Sequence, residues 1–233
     1  MNNLQILNNA LVANNACEEF YKNYNNQEFR NWIQKILPQI EDCKNQRQDN
    51  PWHIYGCLDH ILHAVEAMNK QTISLDSQTR KMLSYVMLLH DIAKPACYIR
   101  RYANAYKRYV DSFFGHAKLG EQIAREVLPT FGFCENEVKI MTWLVKNHDI
   151  FMNLTITKDS NPHKQQITPA LVKDLLQEAD GLGEASQIVR WLVMVGRADN
   201  LAQNPKMTKQ SLDNLDYFES VLDNVVNNSR EGI

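Results

Sequence analysis

Glycine and proline are scarce in this chain, at eight and seven among 233 residues. So few breakers leave long uninterrupted segments, which argues against a fold of many short strands and tight turns. No run alternates apolar and polar residues convincingly enough to read as a β-strand. No apolar run approaches the roughly 20 residues needed to span a bilayer. The asparagine-rich start, MNNLQILNNALVANN, lacks the basic-then-apolar layout of a secretory leader. Cysteine is limited to Cys17, Cys43, Cys57, Cys97 and Cys134, an odd and scattered set without a CxxC pair. That pattern excludes a disulfide frame or zinc knuckle and fits reduced thiols in the cytoplasm. A net charge of −2 gives no global attraction to nucleic acid or to a membrane, so any nucleic-acid contact has to be a local patch. There is no repeat and no domain-sized shift in composition. One domain over residues 1–233 is the expectation.

What is present is helical periodicity, and the fold class it predicts is all-α. Leu58, Ile61, Leu62, Val65 and Met68 form one stripe. The run Met82 to Ala93 is apolar nearly all round, which predicts a central helix ending near Lys94, before Pro95. Further helices are expected over 116–128, 135–149, 169–180, 184–202 and 208–227, with two more before residue 45. The stretches Gln71–Ser77 and Asn153–Gln166 read as loops.

Several polar residues interrupt the apolar stripes. His90 and Asp91 sit side by side in YVMLLHDIAKP. His148 takes the i+7 position after Met141, with Leu144 and Val145 on the same stripe. His116 opens the stripe of Leu119, Gly120, Ile123 and Val127, and Asp199 extends the row Ile188, Leu192, Val195. His60 lies among the small residues Gly56, Cys57, Ala64 and Ala67. A single inward histidine is an ordinary core residue with a hydrogen-bond partner. Four histidines and two aspartates turned inward from five helices would each cost stability unless paired. A shared metal centre resolves all six together. Imidazole and carboxylate suit Zn, Mn, Fe, Co or Ni, and Mg less well.

The ordered set His60, His90-Asp91, His116, His148, Asp199 resembles the HD superfamily of metal-dependent phosphohydrolases. The wording NPWHIYGCLDHILHA, LLHDIAKP, FFGHAKLG, LVKNHD and RADN is similar to the HD domain of bacterial tRNA nucleotidyltransferases, over about residues 50–205. The nucleotidyltransferase core has no counterpart here, so the resemblance implies a stand-alone HD helical bundle rather than tRNA end repair. It implies hydrolysis of a phosphomonoester or phosphodiester, of a nucleotide or related small molecule, with two divalent ions. Asp91 would bridge them. His60, His90 and Asp199 would complete one site, and His116 and His148 the other. Lys94, one turn past His90, would stabilise phosphate charge; its other reading is a solvated helix-end lysine. The superfamily also contains mixed-valent di-iron oxygenases, and a non-catalytic metal-binding interaction module is the third alternative.

Other residues are weaker candidates. Asp180 competes with Asp199 for the final ligand position, but its place before Gly181 and Gly183 suits a helix end. Asp149 should face away from the centre, and His63 and His163 should be solvated. His53, in NPWHIY, is open between a structural hydrogen bond and a substrate contact. Between Pro95 and His116, Tyr98, Tyr102, Tyr106 and Tyr109 recur at helix-like spacing among Arg100, Arg101, Lys107 and Arg108. That segment is either surface packing or a lid in which Arg100 and Arg101 offer cations to phosphate and the rings meet a base.

Overall fold

The computed structural model describes residues 1–231. It is 66% helical, with eleven helices and two small sheets. Four short helices come first: α1 (Asn3–Leu11), α2 (Ala16–Tyr24), α3 (Gln27–Ile36) and α4 (Gln39–Asn45). The long pair α5 (Cys57–Gln71) and α6 (Ser77–Leu89) follows, then a hairpin of β1 (Ile99–Ala103) and β2 (Arg108–Ser112). Next are α7 (His116–Val127) and α8 (Glu135–Asn147), then the two-residue strands β3 (Leu154–Thr155) and β4 (Gln165–Gln166). The chain closes with α9 (Pro169–Ala179), α10 (Ala185–Leu201) and α11 (Pro205–Glu231).

Asparagine and aspartate supply the punctuation that glycine and proline do not. Asn2 and Gln5 cap α1 reciprocally. Asn26 accepts from the backbone N–H groups of Glu28 and Phe29, and Asp76 from those of Gln78 and Thr79. Such caps satisfy orphan donors at a helix start and need only a short link. Before residue 46, where two helices were expected, there are four; Asn caps start α1 and α3, and Pro38 precedes α4.

One cluster of buried apolar residues runs from Leu7 to Val225. The predicted stripe Leu58, Ile61, Leu62, Val65 and Met68 is buried throughout, and α5 packs against α2, α4, α6 and α10. Every residue from Met82 to Leu89 is buried, as a central helix requires. The two hydroxyls of this run are both paired: Tyr85 donates to Asn8 Oδ1 and Ser84 to Asn69 Oδ1, and Asn69 donates to the carbonyls of Leu11 and Ala13. That chain of bonds ties α1, α5 and α6 together.

Two segments differ from expectation. The tyrosine-rich stretch is a β-hairpin, not a helix, with Tyr102 opposite Tyr109 and Arg100 opposite Asp111. Its turn is closed by Tyr106 N–H on the Ala103 carbonyl, with Lys107 at φ 49°. Tyrosine and valine suit a pleated surface, and cross-strand pairing decides over the i+4 coincidence. Within 153–166, β3 and β4 pair in parallel over two residues at the ends of an otherwise irregular stretch.

Candidate metal centre

The six inward side chains converge, and helix ends deliver most of them. His60 is in the first turn of α5, His116 opens α7, and Asp199 is in the last turn of α10. His148 is the residue closing α8. His90 and Asp91 lie just past Leu89, where the central helix ends five residues before Lys94 instead of at it. There Ile92 N–H bonds to the Leu89 carbonyl and Lys94 N–H to that of Asp91, the tighter spacing common at helix ends. Gly115, at φ 85°, makes the sharp entry into α7 that few other residues allow. At Gly120 a Cβ would stand 3.4 Å from Val145 and 3.6 Å from the Leu89 carbonyl, so α7 rests against both α8 and the His90 turn.

The backbone fixes all four imidazoles. Nδ1 of His90 lies 2.6 Å from the Met87 carbonyl, that of His116 2.8 Å from Phe113, and that of His148 2.7 Å from Val145. Nδ1 of His60 lies 3.3 Å from the Ala202 carbonyl. A carbonyl only accepts, so each Nδ1 carries the hydrogen. With Nδ1 so occupied, an unprotonated ring points an Nε2 lone pair inward and a protonated one an Nε2–H. The Nε2 atoms of His116 and His148 are 3.1 Å apart, and those of His60 and His90 3.4 Å apart.

Those nitrogens face carboxylates. Asp91 divides its two oxygens: Oδ2 is 3.1 Å from His60 Nε2 and 3.3 Å from His90 Nε2, while Oδ1 is 3.1 Å from His116 and 3.5 Å from His148. Asp199 Oδ1 is 2.9 Å from His60 Nε2. All six residues are buried. Burial alone would raise both carboxyl pKa values. Lys94 and His90 outweigh it at Asp91, and hydrogen bonds from His60 and His90 do so at Asp199, holding both well below the usual range. Burial opposes charge on His90, yet Asp91 and Asp199 push it up to about 10.

Acceptors converging on acceptors in a buried space need a cation. A metal fits the donor set: two groups of ligand atoms, His60–His90–Asp91–Asp199 and Asp91–His116–His148, each lie within 4.8 Å and share Asp91. The carbonyl bonds on the far ring nitrogens are the support that metal-binding imidazoles typically have.

Lys94 is buried beside this cluster, not solvated. Its Nζ is 2.5 Å from Asp91 Oδ2, 2.8 Å from Gln48 Oε1 and 3.2 Å from His53 Nε2. His53 Nδ1 lies 2.8 Å from Asn50 Oδ1, so Nε2 is free to accept from Lys94. Burial and the Lys94 charge hold His53 well below its ordinary pKa, hence neutral. Gln203 donates to Asp199 Oδ1 at 3.1 Å. The sequence reading missed both Gln48 and Gln203. Gln203, one turn past Asp199, carried a legible i+4 signal; Gln48, in a loop far from Lys94 in sequence, carried none.

The remaining candidates lie elsewhere. Arg100 pairs with Asp111 and Asp49, and Arg101 donates to Ser112 and lies over the Phe114 ring, all within the hairpin and its base. Asp180 is exposed and closes α9. Asp149 precedes a 3-10 turn, His163 is exposed, and His63 is half-buried against Glu66 and the Tyr55 ring.

The molecule is thus a mostly helical protein with a buried histidine–aspartate centre suited to metal, and that centre fits the HD pattern. No family model matches the chain. It is similar to the bifunctional uridylyltransferase/uridylyl-removing enzymes of three bacteria. With that of Gluconobacter oxydans it is 26% identical over 186 residues, 74% of this chain and 17% of the relative. With that of Erythrobacter litoralis it is 25% identical over 185 residues, 73% and 17% of the two chains. With that of Cereibacter sphaeroides it is 26% identical over 137 residues, 53% and 13%. This chain therefore spans about a sixth of the length of the first two relatives. Among the described residues no helix is long and apolar enough to cross a membrane.

Proposed function

We propose that the chain is an HD-type metal-dependent phosphohydrolase, cleaving a phosphomonoester or phosphodiester of a nucleotide or related small molecule. The observation that carries this reading is the set of four Nε2 atoms, each fixed by an Nδ1–carbonyl contact, facing Asp91 and Asp199. Divalent ions bound there would supply an activated water and positive charge for phosphoryl oxygens. His60, His90 and Asp199 would hold one ion and His116 and His148 the other, with Asp91 available to both.

The other side chains set the electrostatics. Lys94 keeps Asp91 ionised and available to both groups. Its three donors already have three acceptors, Asp91, Gln48 and His53, of which neutral His53 is the most distant. A phosphate oxygen arriving here would replace His53 as the third acceptor, giving Lys94 a charge to stabilise without moving its stem. His53 then positions Lys94, which joins its two sequence readings into one. The relatives support phosphoester chemistry, since a uridylyl group is attached through its phosphate and removing it breaks that ester.

The test joins metal analysis of the purified protein to turnover assays. Metal-free protein reloaded with Mn, Co, Ni or Mg is assayed on p-nitrophenyl phosphate, bis(p-nitrophenyl) phosphate and the p-nitrophenyl ester of uridine monophosphate. Turnover of at least one ester that depends on added metal and disappears in Asp91→Ala is expected. Bound metal with no turnover of any ester would return the chain to the interaction-module reading, and O₂ uptake with iron would favour the oxygenase.

A further inference from the structure

The β1–β2 hairpin carries a surface that the metal centre does not use. Among the described residues, six of the thirteen exposed large apolar side chains lie from Tyr98 to Phe114, a density that scattered surface residues do not reach. The same segment, Pro95 to His116, holds four of the chain's 25 cations and only one of its 27 acids, Asp111. Arg100 and Arg108 are neutralised by Asp49 and Asp111. Arg101 and Lys107 have no ion-pair partner among the described residues, and Arg101 stays beside the Phe114 ring through its bond to Ser112. Tyr102 and Tyr109 form an exposed cross-strand pair with ring centroids 5.5 Å apart.

The hairpin is anchored to the site at its root. Asp111 accepts from the Asp49 N–H at 2.7 Å, next to Gln48 and Asn50, which hold Lys94 and His53. Phe113, the residue after β2, has its ring centroid 5.5 Å from Lys94 Nζ, and its carbonyl holds His116. From Phe113 to Tyr109 the strand climbs roughly 13 Å, at about 3.3 Å per residue. Stacked nucleotides advance about 3.4 Å each along a strand. A run of about four nucleotides spans that climb.

We propose that the hairpin binds a single-stranded oligonucleotide, stacking bases on Tyr102 and Tyr109 and holding backbone phosphates with Arg101 and Lys107, while its terminal phosphoester enters the metal centre. This rests on the phosphohydrolase reading for the chemistry but not for the binding. Exposed rings interleaved with unpaired cations match the alternation of bases and phosphates along a strand. A second copy of the chain would set these cations against themselves.

Binding is tested by fluorescence anisotropy with a fluorescein-labelled eight-nucleotide RNA of mixed sequence, in EDTA so that nothing is cleaved. The expected result is saturable binding, at least about tenfold weaker for a duplex of the same length. Affinity should fall with salt at a log–log slope of about −1.4, for two phosphates on a single strand. Tyr102→Ala with Tyr109→Ala should weaken it by at least about tenfold, the order expected for lost base stacking, while Tyr102→Phe with Tyr109→Phe keeps the wild-type affinity. No binding, equal duplex binding, or an unchanged affinity in the alanine variant overturns the proposal. Preferential cosedimentation with phosphatidylserine vesicles would reassign the surface to lipid. Metal-dependent turnover of bis(p-nitrophenyl) phosphate without RNA binding sinks this inference alone, and RNA binding without turnover of any ester sinks only the hydrolase reading.

Discussion

Replacing His116 with alanine should lower the metal content from about two ions per chain to about one. The asymmetry of the two ligand groups sets the magnitude. One group has four residues, His60, His90, Asp91 and Asp199, and the other three, Asp91, His116 and His148. Four-ligand structural zinc sites bind with about 10–16 kcal/mol, so one ligand is worth roughly 3 kcal/mol. At 1.4 kcal/mol per decade that is about a hundredfold in affinity. Removing His116 leaves two protein ligands in the smaller group, whereas removing His60 leaves three in the larger. Dialysis against micromolar Mn or Ni followed by elemental analysis reads the difference directly. His116→Ala and His148→Ala should each keep one ion. Asp91→Ala should do worst, because it strips the smaller group of its sole carboxylate and the larger of one of two. Wild-type protein holding a single ion under excess metal, unchanged in both histidine variants, would falsify the dinuclear arrangement. His116 and His148 would then serve as contacts for substrate phosphate.

Lys94→Ala should keep the bound metal but lower kcat by about 10²-fold or more, as for loss of one electrostatic stabiliser; an unchanged kcat on the best substrate would refute the role. Gly196→Ala should destabilise the fold by about 1–3 kcal/mol, read as a lower denaturant midpoint, because its Cβ would lie 2.5 Å from the Phe151 ring; an unchanged midpoint would mean that Phe151 relaxes freely. In metal-free protein the proton on His90 stands in for the cation. With a folded pKa of about 10, raised above the unfolded value of about 6.5, its stabilisation is complete below about pH 6.5 and is lost as pH rises through about 10. The Tm of EDTA-treated protein should therefore fall between pH 7 and 10, and His90→Gln should remove that fall.

The convergence of the six side chains was legible because most of them interrupt an apolar stripe, and a stripe records which way a residue faces whatever the neighbouring helix does. The choice of Asp199 over Asp180 was legible for the same reason: the row Ile188, Leu192, Val195 continues into the cluster, whereas Asp180 ends α9. The hairpin was not legible. Tyrosines spaced by four fit a helix, and only the pairing of Tyr102 with Tyr109 across a turn at Asn104–Lys107 decides otherwise. Nor could composition reveal that Lys94 is buried, since its three acceptors come from two separate parts of the chain, Gln48 and His53 before α5 and Asp91 after α6.

The helix ends and the metal centre solve one another's problems. The last four carbonyls of a helix lack intrahelical partners, and burying them unpaired is costly. Met87 and Val145 are such carbonyls, in the last turns of α6 and α8, and the Nδ1 groups of His90 and His148 reach back to them. Each imidazole thus caps its own helix and, by spending Nδ1 there, turns Nε2 inward as a lone pair. In mid-helix, the carbonyl three residues back would have been engaged by the backbone. A glutamine could still cap the carbonyl through its amide, but its oxygen is a weaker ligand than imidazole. His148→Gln should therefore cost the smaller ligand group its ion while leaving the thermal stability of the metal-free protein within about 1 kcal/mol, the net worth of one such bond. A large loss of metal-free stability in His148→Gln, measured beside His148→Ala, would show that the imidazole is chiefly a packing element and that its orientation toward Asp91 is incidental.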